Sequence, residues 1–262
     1  MAVIPGLEGK FNEVPAAYDR WRPGYVQELY RDLWAYQPIG PDSRALEIGI
    51  GTGQATPPVL ATGCTLTAVE LGNQLAAYTA KKFQDYRRFA VYPMAFQQYD
   101  GPEQAFDLIY SASAFHWIPE EIGYPKVYRL LKPGGAFARF ANHPYRSPDA
   151  LHEALQEVYA RYMPFSPPSP PYTQAQCAQR AQLAEKYGFV DIQYRMYHRT
   201  RTFTAQEYPQ LLGTYSDHRA VEEQARKQFF REIEQVIETF GGTITLSDTL
   251  DLQLARKPLE GG

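Results

Sequence analysis

Three observations predict an α/β fold built on a doubly wound, mostly parallel sheet. Short apolar runs recur at 44–48, 66–71, 88–92, 106–110 and 136–141, each separated from the next by enough chain for a helix, and such alternation places parallel strands beneath crossover helices. The first run leads directly into Gly49, Gly51 and Gly53, a strand-to-helix turn in which glycines supply positive φ and let a ligand approach the main chain. With 262 residues, 44% of them hydrophobic, the chain can bury the core of one α/β domain.

The elements follow in order. Pro57 and Pro58 fit only the first turn of a helix, where N–H groups are unpaired anyway, so the helix after the glycines starts close to them. After residue 141 the strand pattern breaks at Pro144 and Pro148, and the proline-rich stretch 164–172 reads as an extended surface loop. A helix is expected over 174–187, ended by Gly188, followed by a strand over 190–203. Two helices, 205–213 and 217–240, precede Gly241-Gly242 and a last strand over 243–255; Asp217 reads as the N-cap of the second helix. The whole chain, 1–262, is expected to form a single domain with an α/β core from about residue 38, capped by segments near 1–37, 143–173 and 204–242.

Composition narrows the function. A net charge of −3 with scattered Lys and Arg leaves no electrostatic footprint for nucleic acid. Two cysteines, Cys64 and Cys177, and no cationic-then-apolar leader imply a reducing compartment, the cytoplasm, and no disulfide framework. No apolar run reaches the length of a membrane span, and Cys and His never cluster at metal-ligand spacing, so neither membrane nor metal is expected.

The motif Glu47-Ile48-Gly49-Ile50-Gly51-Thr52-Gly53-Gln54 describes a nucleotide-type cradle. A dinucleotide fingerprint G-x-G-x-x-G would need glycine at position 54, which is Gln54. Glu70 ends the next strand about 20 residues after the glycines, where a carboxylate can hold the vicinal hydroxyls of a ribose. That pairing alone leaves open an NAD(P)-dependent oxidoreductase and a non-catalytic binding module.

Further on, Ala105-Phe106-Asp107-Leu108-Ile109-Tyr110-Ser111-Ala112-Ser113-Ala114-Phe115-His116-Trp117 and Leu130-Leu131-Lys132-Pro133-Gly134-Gly135 make the chain specific. With the glycine motif and Tyr18-Asp19-Arg20-Trp21-Arg22-Pro23-Gly24-Tyr25, it resembles the class I S-adenosylmethionine (SAM) dependent methyltransferases, in particular the trans-aconitate methyltransferase-like small-molecule subgroup. The resemblance is strongest from 18 to 142 and absent in the proline-rich loop. It departs at Ile50, where the family often has a small residue or cysteine, and at Gln97, where an acid is common near the adenine.

The resemblance implies a seven-stranded sheet whose last strand is antiparallel, SAM as cofactor, and methyl transfer to a small-molecule acceptor such as a carboxylate or other anionic metabolite. It implies that the main chain at Gly49, Gly51 and Gly53 lies under the methionine part with Gln54 beside it, that Glu47 just before the glycines belongs to the cofactor site, that Glu70 holds the ribose, and that Leu71, Ala95 and Phe96 sandwich the adenine. Ser111 and Ala112 would border the amino-acid moiety, and Tyr18 and Arg22 would close over its carboxylate, a fit for bidentate guanidinium recognition. A carboxylate acceptor needs no base; for a hydroxyl or carbon acid, His116 and His143 are the candidates by residue type. Trp117, Tyr145, Tyr215 and His218 are the candidates for acceptor contact. Arg139, Arg146, Arg195, Arg199 and Arg201 hint at an anionic acceptor, and a closed cap favours a monomer or weak dimer.

Overall fold

The computed structural model describes residues 12, 14–164 and 170–259. Residues 165–169 of the proline-rich loop and residues 1–11 of the expected cap lie outside the described residues. In chain order the elements are α1 (Pro15–Trp21), α2 (Gln27–Tyr36), β1 (Arg44–Ile48), α3 (Thr56–Leu60), β2 (Thr65–Glu70), α4 (Asn73–Lys82), β3 (Phe89–Pro93), β4 (Phe106–Ala112), α5 (Glu120–Leu130), β5 (Leu131–Tyr145), α6 (Ala150–Tyr162) and α7 (Gln174–Gln182). They continue with β6 (Val190–Thr204), α8 (Glu207–Leu212), α9 (Ser216–Ala220), α10 (Glu223–Thr239) and β7 (Thr243–Arg256). No helix among the described residues is long and apolar enough to cross a membrane.

The seven strands form one sheet in the order β3-β2-β1-β4-β5-β7-β6. The first five are parallel, and β7 runs antiparallel to both of its neighbours, β5 and β6. On one face α2 and α3 cover Ala45, Leu66, Leu108, Tyr110, Phe140 and Leu252 with Leu29, Leu33 and Val59. α2 therefore belongs to the core layer, not to the cap in which the sequence placed it. On the other face Tyr124, Val127 and Leu130 of α5 meet Leu46, Ile109 and Phe137, with Phe115 and Phe189 filling the gaps. Asp107 ties this sheet together at its lower edge, accepting from Arg44 N at 2.8 Å and from Lys132 Nζ at 2.7 Å.

The largest departure from the sequence reading is β5, which does not end near residue 141. Pairing with β4 stops at Ala112 opposite Phe140, but pairing with β7 continues to Tyr145 opposite Ser247. Beyond β4 that side of β5 is a free edge, where a proline lacking its N–H costs no ladder bond, and Pro144 is accommodated there. The overhanging arm of β5, β6 and β7 carries the cap. Phe229, Ile233 and Ile237, on one stripe of α10, pack with Leu155 and Val158 of α6, Leu211 and Leu212 of α8, and Phe203, Ile244 and Leu246 of the arm. The expected helix 217–240 is two helices. Glu222 interrupts it and caps α10 by accepting from Gln224 N and Ala225 N at 2.9 and 3.0 Å, while Asp217 lies inside the first turn of α9, where it accepts from His218 N at 2.8 Å, and is not an N-cap.

Candidate functional site

The glycine turn sits where β1 ends, with φ of +71°, +58° and +81° at Gly49, Gly51 and Gly53. The three glycines do different work. A Cβ on Gly49 would lie 2.4 Å from the Ala114 Cβ, and one on Gly53 would lie 2.4 Å from the Phe83 ring, so both are required by packing. On Gly51 the nearest atom would be Tyr18 Cε1 at 3.8 Å, which leaves room above the main chain for a ligand. Glu70 braces this cradle, accepting from Gly51 N at 2.8 Å and Gly72 N at 2.9 Å. Burial raises its carboxyl above the ordinary range, and the two backbone bonds offset only part of that.

Glu47 is in a different situation from the one its motif suggested. At 1% exposure its carboxylate accepts from Tyr110 Oη at 2.6 Å and Thr56 Oγ1 at 2.7 Å, holding the base of the turn from inside the core. Burial pushes its pKa from 4.5 to about 7, against the pull of those two hydroxyls. A folded pKa raised above the unfolded value means stability is fullest below pH 4.5 and is lost as pH rises through about 7. Glu47→Gln is expected to flatten that slope, leaving the melting temperature at pH 8 equal to or above that of the wild type; thermal melts from pH 5 to 8 check this, and a parallel slope in the variant would refute it.

Other expected cofactor contacts separate. Leu71 is 50% exposed and Ala95 and Ala112 are half-buried, so they remain on the cleft surface. Phe96, at 3% exposure, belongs to the core beneath α5, and Ser111 is buried with its hydroxyl donating to Ile48 O at 2.9 Å. Neither presents its side chain to a ligand; their spacing matched the motif, but residue type does not reveal which face of a turn or strand they take.

The N-terminal segment closes over the turn. Asp19, which sequence reasoning passed over, accepts from Lys82 Nζ at 2.5 Å, Tyr78 Oη at 2.9 Å and Gln54 Nε2 at 3.4 Å, fastening α1 to α4. Arg22 donates to Thr214 O at 2.8 Å and lies over the Tyr18 and Tyr215 rings at 5.0 and 4.0 Å, joining α1 to the cap. Tyr25 bonds Ser113 Oγ at 2.9 Å, beside the end of β4. The only sequence signal for Asp19 was its place inside the motif at 18–25.

The acceptor candidates fall on the two faces of the overhanging arm. On one, His143 Nε2 lies 3.1 Å from Asp251 Oδ1, and the imidazole stacks on Tyr172 at 3.7 Å. His116, open to the cleft, adjoins Trp117 at 5.2 Å between ring centres; desolvation by its surroundings, then Arg139, Arg180 and His143, push its pKa down to about 4. On the other face Arg199 Nε and Arg201 Nε converge on the buried Asp248 at 3.0 and 2.5 Å, and Tyr215 and the Arg146–Asp149 pair lie nearby. Arg195 is exposed and donates to Tyr194 O, while Arg139 bonds the Tyr124 hydroxyl. Tyr145 is half-buried on the arm. His218 is a correction: at 6% exposure it is held at both nitrogens, by Asp217 Oδ1 at 2.7 Å and Tyr159 Oη at 3.0 Å, so it organises the interior of the cap and leaves no nitrogen for an acceptor.

A seven-stranded sheet with an antiparallel β7, a glycine cradle and an acid after β2 define a class I SAM-dependent methyltransferase. Comparison with known proteins agrees: a methyltransferase domain model matches residues 46–137. An uncharacterised methyltransferase of Geobacillus kaustophilus is 30% identical over 161 residues, covering 58% of this chain and 73% of that protein. The trans-aconitate 2-methyltransferase of Delftia acidovorans is 28% identical over 146 residues, 54% of this chain and 51% of that one. Phosphoethanolamine N-methyltransferase 2 of Haemonchus contortus, solved with SAM, superposes with a TM-score of 0.57 at 16% identity, over 98% of this chain and 61% of that one. The chain belongs to the class I SAM-dependent methyltransferase family and uses SAM to transfer methyl groups; the oxidoreductase reading is not favoured.

Proposed function

We propose that the acceptor is a small anionic molecule held between the glycine cradle and the cap. The observation that carries this is the charge under the cap: Arg199 and Arg201 share the single buried carboxylate of Asp248. Guanidiniums in excess over buried carboxylates are compensated by an anionic ligand, through charge-assisted hydrogen bonds. Two of the similar proteins are named for trans-aconitate and phosphoethanolamine, both of which carry ionised acid groups.

SAM supplies an electrophilic methyl on a sulfonium. The residues available to hold it are the open main chain at Gly51, the Glu70 carboxylate for ribose hydroxyls, and Leu71 with Ala95 for the adenine. Glu70 places an acidic group directly beneath the Gly51 main chain, which suits a cationic sulfonium. The remaining work is alignment of acceptor and methyl in a site shielded from water.

Two measurements test this reading. Glu70→Ala is expected to weaken SAM and S-adenosylhomocysteine binding by roughly 10- to 100-fold in calorimetric titration, the loss of about two charge-assisted hydrogen bonds; unchanged affinity removes Glu70 from the site. A panel of small acids, each paired with its neutral amide, is expected to show methylation of the acids alone. Equal turnover of the amides would overturn the anionic acceptor.

A further inference from the structure

We propose that the hydroxyls of Tyr25 and Ser113 bind the acceptor at the end that faces the glycine cradle, while Arg199 takes an anionic group at its other end. The proposal rests on the anionic-acceptor reading above. It adds a second binding point, which makes the acceptor a small molecule with oxygen-bearing groups at both ends.

The pair stands at the switch point of the sheet. In the order β3-β2-β1-β4-β5 the chain winds from β1 towards β3 on one side and from β4 towards β5 on the other. Open α/β sheets bind ligands in the crevice outside the carboxyl ends of two such strands. β1 ends in the cradle, and β4 ends at Ala112, immediately before Ser113. Contacts tie the pair to the cradle from both sides. Ala114, next to Ser113, packs against Gly49, where a Cβ would lie 2.4 Å from the Ala114 Cβ. Gly24, next to Tyr25, lies beside Gln54, whose carbonyl oxygen would be 3.5 Å from a Cβ at Gly24.

The backbone turns Ser113 outward. Its φ is +55°, uncommon for a residue with a side chain, and its N–H donates to Phe140 O at 2.8 Å. Ser113 is exposed, in contrast to the buried Ser111 two residues earlier. Tyr25 Oη lies 2.9 Å from Ser113 Oγ, and among the described residues neither hydroxyl has a second hydrogen-bond partner. Burial pushes the Tyr25 phenol above its ordinary pKa, so both hydroxyls keep their protons. One of the two protons is used between them, which leaves one O–H to donate. Such a donor is matched by an anionic or carbonyl oxygen.

A row of contacts runs from the pair to the arginines. The Tyr25 ring meets Phe140 edge to face at 4.8 Å between centres. Asn142, two residues on, projects from the same face of β5 as Phe140, and its Oδ1 accepts from Arg199 Nη2 at 3.3 Å. Arg199 is also one of the two guanidiniums bonded to Asp248. Two strand residues span roughly 7 Å, so the matching ligand is an acid with a second acid or carbonyl group a few carbons away.

The test titrates glutarate and adipate into the full-length protein saturated with S-adenosylhomocysteine, with acetate as the short control and the two diamides as neutral controls. The diacids are expected to bind more tightly than acetate. Tyr25→Phe and Ser113→Gly should each weaken diacid binding by about 10- to 100-fold, the loss of one hydrogen bond to a charged group, with S-adenosylhomocysteine affinity unchanged. Glycine suits the positive φ at 113, so Ser113→Gly should melt at or above the wild-type temperature. Affinity lost without stability lost is not a structural effect.

Diacid affinity unchanged in either variant would overturn the hydroxyl pair and leave the anionic acceptor standing. Diamides binding as tightly as the diacids, with both weakened by the variants, would do the reverse. Weaker S-adenosylhomocysteine binding in either variant would assign the hydroxyls to the cofactor and overturn the proposal, as would diacids that bind no more tightly than acetate.

Discussion

Gly49→Ala is expected to lower the melting temperature by roughly 4–20 °C and Gly51→Ala by only about 2–8 °C, yet Gly51→Ala should cost the greater part of SAM affinity. Both positions have positive φ, a conformation that costs an alanine about 1–2 kcal/mol. At Gly49 the new methyl would also sit 2.4 Å from the Ala114 Cβ, and overpacking of that severity adds about 1–3 kcal/mol. For a chain of this size each kcal/mol is worth about 2–4 °C. At Gly51 the methyl meets nothing closer than 3.8 Å, so it is tolerated by the fold and fills the space the cofactor needs. Melting curves alongside SAM titrations separate the two, and equal melting losses with equal affinities would show that the turn does not divide into packing and ligand glycines.

Much of this architecture was legible in the chain. β1 falls where its apolar run predicted, and the glycines and Glu70 stand together because their spacing encodes one strand-turn-helix and the strand after it. What stayed hidden depends on partners far away in sequence. Nothing near His143 announces Asp251, 108 positions on, and an isolated aspartate in a strand gives no sign that it will be buried under two arginines, as Asp248 is. The overhang of β5 was invisible because local periodicity stops at Pro144, whereas its continuation is dictated by β7. Phe96, Ser111 and His218 matched a motif or a turn by residue type; which side each presents is settled by tertiary packing, and all three point inward.

Asp248→Asn is expected to destabilise the protein by about 3–5 kcal/mol, the usual cost of removing one partner from a buried ion pair, or roughly 6–20 °C of melting temperature. The amide keeps the shape of the carboxylate but leaves Arg199 and Arg201, now bonded to it at 3.0 and 2.5 Å, with their charge uncompensated. An anion entering the same space can replace what was lost. Sulfate at ten times its dissociation constant supplies about 1.4 kcal/mol, so it should raise the melting temperature of Asp248→Asn by about 3–6 °C. The wild type should respond less than the variant, because Asp248 already occupies part of the guanidinium surface; chloride at matched ionic strength controls for screening. An equal response of both proteins to sulfate would mean that the arginines serve the arm alone and that the acceptor's charge is read elsewhere. A selective response would show that an anion from solution reaches the guanidiniums beneath the cap, as the anionic-acceptor reading requires.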